Sequence, residues 1–148
     1  MQRDVLARVA DAIQAAGVGQ VYGYGLPAPR ALPPALPPGG VSALVMPGAT
    51  LDLALLHGAL RHTYEVEVRV LVPLGDLAAA ADALIPLPDE LMVALAGRLA
   101  SASGAYNGLR PVRVSAPATA EYAGTEFLQH TLVLEVSEHR QIIPGVGP

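Results

Sequence analysis

From Arg61 to Val72 the chain alternates in polarity. Tyr64, Val66, Val68, Val70 and Val72 fall on one side, and Thr63, Glu65, Glu67 and Arg69 on the other. A repeat of two residues is the pitch of a strand, and a side made only of apolar groups needs a core to cover it. The pattern predicts a strand with one buried face, ended by Pro73, and so a sheet that is packed on that face. A helix to pack there is readable near the N-terminus. Between Arg3 and Ala16, residues Val5, Leu6, Val9 and Ile13 share one stripe, Asp4 and Arg8 form an i,i+4 pair, and Gly17 is placed to stop the helix.

The rest of the chain divides by turn signals and periodicity. Gln20 to Tyr24 reads as a short strand. Val41 to Met46 reads as a second, closed by a turn at Pro47-Gly48. Asp76 is an N-cap for a helix to Leu84 with Leu77, Ala81 and Leu84 on one side. Pro86 and Pro88 break that pattern. Pro88 then suits position N1 of another helix, with Asp89 and Glu90 complementing its dipole and Leu91, Leu95 and Leu99 in a stack beside Met92. Ser101 to Gly108 reads as a small-residue loop. Strands follow at Arg110–Ser115, Thr119–Tyr122 and Glu126–Glu138, the last with Leu128, Leu132, Leu134 and Val136 on one face, and Ala123-Gly124-Thr125 as the turn before it. Strands before and after the helices predict an α+β fold, one domain over residues 1–148. Its antiparallel or mixed sheet packs against the N-terminal helix and the central helices.

Two segments do not fit that domain. Leu26 to Gly40 holds six prolines and one charge, Arg30, and resists both helix and sheet. Its Leu26, Leu32 and Leu36 suit an extended arm that docks on a partner; the other reading is a plain tether. Residues 139–148 read as an extended C-terminal tail, with Ile142 and Ile143 as its apolar contacts. These segments help explain the composition. Hydrophobic residues make up 52% of the chain and charged residues 15%, against about 25% in ordinary soluble domains. Such a chain enters a membrane or has its surface covered by partners. The longest uncharged run, Ala31 to Leu51, contains Pro33, Pro34, Pro37, Pro38 and Pro47, too many breakers for a spanning helix. Arg3, Asp4, Arg8 and Asp11 speak against a signal peptide. Partner-covered surface is the remaining explanation.

Chemistry-bearing patterns are few. No cysteine is present, which excludes disulfides, thiolate metal sites and a Cys nucleophile. All nine basic residues are Arg and the net charge is −4, against a large nucleic-acid footprint. The run of Gly17, Gly19, Gly23 and Gly25 follows a helix and lacks the phosphate-loop spacing, so turn and strand glycines are the reading. His57 and His62 lie five apart, which suits no shared metal, and His130 falls on the inward side of its strand, as a half-buried, hydrogen-bonded histidine would. Glu65 and Glu67 are neighbours on one strand face, a pattern that serves acid–base work or a cation, or, with Arg69 beside them, a salt-bridge row facing solvent or another subunit. No Gly-x-Ser-x-Gly elbow occurs. The expectation is a protein without enzymatic activity, cofactor or metal, one that works by being assembled.

The layout resembles the tail terminator (tail-completion) proteins of long-tailed bacteriophages. The matching features are the helix ending near Gly17, then Gln-Val-Tyr-Gly-Tyr at 20–24, a variable loop and a strand at 41–46. Arg-His-Thr-Tyr-Glu-Val-Glu-Val-Arg-Val at 61–70 follows, and the match closes with Ala120 to Val136 before a short tail. The long apolar Pro-rich arm and the Pro86/Pro88 break depart from that pattern. The resemblance implies a structural virion protein, a ring, usually hexameric, that ends the tail tube and joins it to the head or neck. Its partners would be further copies, the major tail tube protein and a head–tail connector, with DNA crossing the lumen without specific binding and no membrane contact. It would be assembled in the host cytoplasm. In such a ring Glu65, Glu67 and Arg69 would face a subunit or the lumen. Another connector or neck protein is the alternative. A small-molecule-binding or enzymatic α+β domain is the alternative of a different class.

Overall fold

The computed structural model of the protein describes residues 2–16, 20–23, 42–99, 106–122 and 125–141. The elements are α1 (Gln2–Ala16), β1 (Gln20–Gly23), β2 (Ser42–Leu56), β3 (Ala59–Pro73), α2 (Leu77–Leu84), α3 (Leu87–Leu99), β4 (Tyr106–Val114), β5 (Ala118–Tyr122) and β6 (Thr125–Gln141). The fold is α+β and mostly sheet. Six strands lie in the order β1-β2-β3-β6-β4, with β5 also paired to β6. Every pairing is antiparallel except β1 with β2, which is parallel.

The alternation at 61–72 does what its period requires. Tyr64, Val66, Val68, Val70 and Val72 are buried, together with Leu128, Leu132, Leu134 and Val136 of β6. They form one cluster with Val5, Leu6, Val9 and Ile13 of α1, Ala80 and Leu84 of α2, and Leu87, Leu91 and Leu95 of α3. All three helices therefore cover the same face of the sheet. Asp76 caps α2 by accepting a hydrogen bond from the Ala78 amide at 3.1 Å. Leu77 does not join the buried side of α2; it is exposed, and Ala80 takes the place beside Leu84. Helix α3 begins one residue before the expected position, at Leu87, so Pro88 is second in its first turn, where a missing amide still costs nothing. No helix among the described residues is long and apolar enough to cross a membrane.

Three boundaries differ from the sequence reading. Pro47-Gly48 is no chain reversal: β2 runs through it, and the register with β3 slips between Pro47 and Thr50 and again between Thr50 and Asp52. Bulges absorb these residues without ending the strand. Gly48 is needed because the chain lies on β3 there; a Cβ would come within 2.9 Å of both the Cβ and the carbonyl oxygen of Glu65. The reversal lies at His57-Gly58, where φ is 49° and 76°. Two positive φ values are the mark of a two-residue hairpin turn whose twist suits the strands. Tyr106 to Gly108 belong to β4 and not to a loop, and His139 to Gln141 stay in β6 instead of starting the tail. Strands β2 and β3 are each 15 residues long, roughly 50 Å at strand rise. They outreach the helix layer, and their upper ends stand as an arm.

Candidate functional site

Two surfaces concentrate the unusual chemistry of this chain. The first is the sheet face away from the helices. Cross-strand partners share a face in an antiparallel ladder, so the register places Glu65 opposite Glu135, Glu67 opposite Val133, and Arg113 and Arg110 of β4 opposite Val133 and Glu135. Directly opposed carboxylates repel. Each is answered from β4: Arg113 donates to Glu65 at 3.2 Å, and Arg110 donates to both oxygens of Glu135 at 3.1 and 3.2 Å. Arg69 donates to Glu67 at 3.0 Å. Higher on the same face Thr63 and Ser137 share a hydrogen bond of 3.1 Å, and Arg61 donates to Asp52 at 3.0 Å. Four carboxylates and four guanidiniums thus form a polar row with no net charge. Glu65, only 8% exposed, is its most enclosed charge. Leu71, Phe127 and Val133 are also buried on this face, away from the helix-side cluster.

The second surface is the arm. Leu53 pairs with His62 and Leu55 with Leu60, the even-numbered side of β3 that carries Tyr64 and Val66 lower down. Lower down that side is core. At the arm the β2 part of that side is open, with Leu53 and Leu55 each 61% exposed, while Glu138 of β6, opposite His62, is buried; Leu51, in the bulge, and Leu56, which pairs with Ala59 on the other face, are half exposed as well. The His62 ring lies 4.6 Å from the Tyr64 ring at the border between covered and bare sheet. Sequence spacing assigns no element to 49–60, although Leu51-Asp52-Leu53-Ala54-Leu55 alternates with period two and leads into His57-Gly58. The Pro47-Gly48 pair before it carries the stronger local signal, that of a turn.

The structure brings Glu65, Glu67 and Arg69 together on the polar face. Leu26, Arg30, Leu32, Leu36, Ile142 and Ile143 lie outside the described residues. His130 is half-buried, and its Nδ1 donates to the Ser115 carbonyl at 2.8 Å. Ser115 in turn bridges β4 and β5 along β6 through Thr131, giving its amide to the Thr131 carbonyl and accepting the Thr131 amide on Oγ, both at 2.9 Å. His57 sits in the arm turn and His62 on the strand, so they serve different places. Among the described residues no group of three or more His, Asp or Glu is placed to hold a metal ion. No protein-family model matches the chain, and no curated protein matches it in sequence.

Proposed function

We propose that this chain is a structural protein of a long-tailed phage particle, a tail terminator whose copies form a ring that ends the tail tube and joins it to the head. What supports the reading, besides the sequence resemblance, is the leucine-bearing arm. Four leucines held half or more in water beyond the protein's own core are a surface kept for neighbours, and obligate interfaces are the apolar class. The polar face suits a lumen. A row of carboxylates already paired with guanidiniums offers a passing polyanion no cluster of free cations and so little counterion release. Glu65, Glu67 and Arg69 are assigned to that lining in this reading, and the tube protein and a head–tail connector are the partners.

Electron microscopy of the purified full chain, alone and mixed with tail tubes, tests the proposal. Rings with a central hole, seated at tube ends, are the expected result. A protein that stays monomeric at every concentration and leaves tube ends bare overturns it. Deleting residues 27–38 should weaken ring formation while leaving the circular dichroism spectrum of the folded chain in place; an unchanged ring would remove the Pro-rich segment from the interface.

A further inference from the structure

We propose that the outer edge of the arm, Thr50 to Leu56 of β2, pairs antiparallel with the same edge of a second copy of this chain, about a two-fold axis at Leu53. This goes beyond the ring reading and does not depend on it. The argument starts from the two edges of the sheet. The β4 edge carries the devices that discourage strand pairing: Arg110, Pro111, a register slip between Pro111 and Arg113, Arg113 itself, and Pro117 just beyond. The β2 edge above Gly48 has no proline, its one charge, Asp52, is already paired with Arg61, and its one register slip, between Thr50 and Asp52, lies at the near end of the segment, so Asp52 to Leu56 runs in unbroken register. Among the described residues β1 pairs only with Ser42 to Val45, so Thr50 to Leu56 has β3 on one side and no strand on the other. A long apolar edge with open amides and carbonyls is a template for another strand.

The identity of that strand follows from pattern and charge. Leu51-Asp52-Leu53-Ala54-Leu55 reads the same in apolar spacing from either end. An antiparallel match centred on Leu53 sets Leu53 against Leu53 and Leu51 against Leu55, so the leucines meet leucines, as an isologous contact requires. Asp52 then stands opposite Ala54 of the second copy. Ala54 has Arg61 as its own cross-strand partner, so that the second copy's Arg61 can reach over a small side chain toward Asp52. Asp52 is the only charge in β2 and is already met by Arg61 at 3.0 Å. Two such edges therefore approach without net repulsion.

Absence of native cysteine makes the register testable with one thiol. Opposed residues in antiparallel strands have Cβ atoms about 4.5–5.5 Å apart, near the reach of a disulfide. Leu53→Cys in the full chain should give a covalent dimer on mild oxidation. Val112→Cys, on the guarded β4 edge with a comparably open side chain, should remain uncrosslinked. In sedimentation, Leu53→Lys, which places two ammonium groups at the axis, should weaken self-association about 100-fold relative to the parent chain. Leu53 is exposed in the protomer, so both variants should keep the parent Tm; should the lysine variant fail to fold, the cysteine pair decides alone. Equal crosslinking at 53 and 112, or none at 53, overturns the proposal. Rings without a Leu53→Cys dimer sink this contact and spare the ring reading; a covalent dimer without rings does the reverse.

Discussion

From Tyr64 to Val72, β3 lies beneath three helices; from Ala59 to Thr63 the same strand, between the same neighbours, adds no residue to the cluster those helices cover. Pairing with β6 is continuous through both halves, and pairing with β2 resumes above the bulges, so hydrogen bonding does not separate them. Side-chain surroundings do. Valines in the lower half of β3 are buried, whereas the leucines of β2 beside its upper half are open to water, although both are apolar and both alternate. Burial stabilises a fold only where the protein itself supplies the cover. The lower half therefore carries stability, and the upper half carries surface.

Mutations can break or sharpen that contrast. Leu91→Ala, in the helix layer over the lower half, should cost about 2–5 kcal/mol in urea unfolding; a loss near zero would mean that the layer is not the core. Gly48→Ala, where β2 lies on Glu65, should cost about 1–3 kcal/mol by overpacking, and a neutral result would show that the bulge relaxes freely. Arg113→Ala leaves Glu65 facing Glu135 with one guanidinium fewer. The Arg113 side chain is 59% exposed, so the expected loss is only about 0.5–1 kcal/mol, read by thermal unfolding at low salt and smaller at high salt. Leu55→Ala in the arm should change the stability of the dilute protomer by less than about 0.5 kcal/mol. A large loss there would place the arm inside the fold after all.

Much of the lower half is legible in the sequence because a single period decides it. The Tyr64–Val72 row, the stripe of α1, the Asp76 cap and the inward leucines of β6 each follow from spacing alone. The arm is not, because Pro47-Gly48 carries the local chemistry of a turn, and only the long-range pairing of β2 with β3 turns those residues into bulges. Leu77 fails for a related reason: helical spacing gives two adjacent stripes on a short helix, and the sheet chooses between them. For the candidate site, Glu65, Glu67 and Arg69 are readable as one face, but their partners are not. Arg110, Arg113 and Glu135 reach them through pairings that no local pattern encodes. Val112 and Val114 alternate with Arg113 and Ser115 as in a strand with one buried face, yet on this edge strand both are exposed.

The strand order β2-β3-β6 has a consequence for how the chain matures. Strands β2 and β3 meet through a two-residue turn, and hairpins of that kind close in about 1–10 μs. Strand β6 joins β3 only after both central helices and β4 and β5 have been traversed, with Ala59 waiting for Gln141 and Pro73 for Phe127. Such distant pairings are slow. In the interval the hairpin is flanked by two open edges instead of one, with its leucines already on display. Chain concentration during refolding should therefore govern yield more strongly than temperature, since every encounter in that interval offers the wrong neighbour a place that β6 has yet to fill.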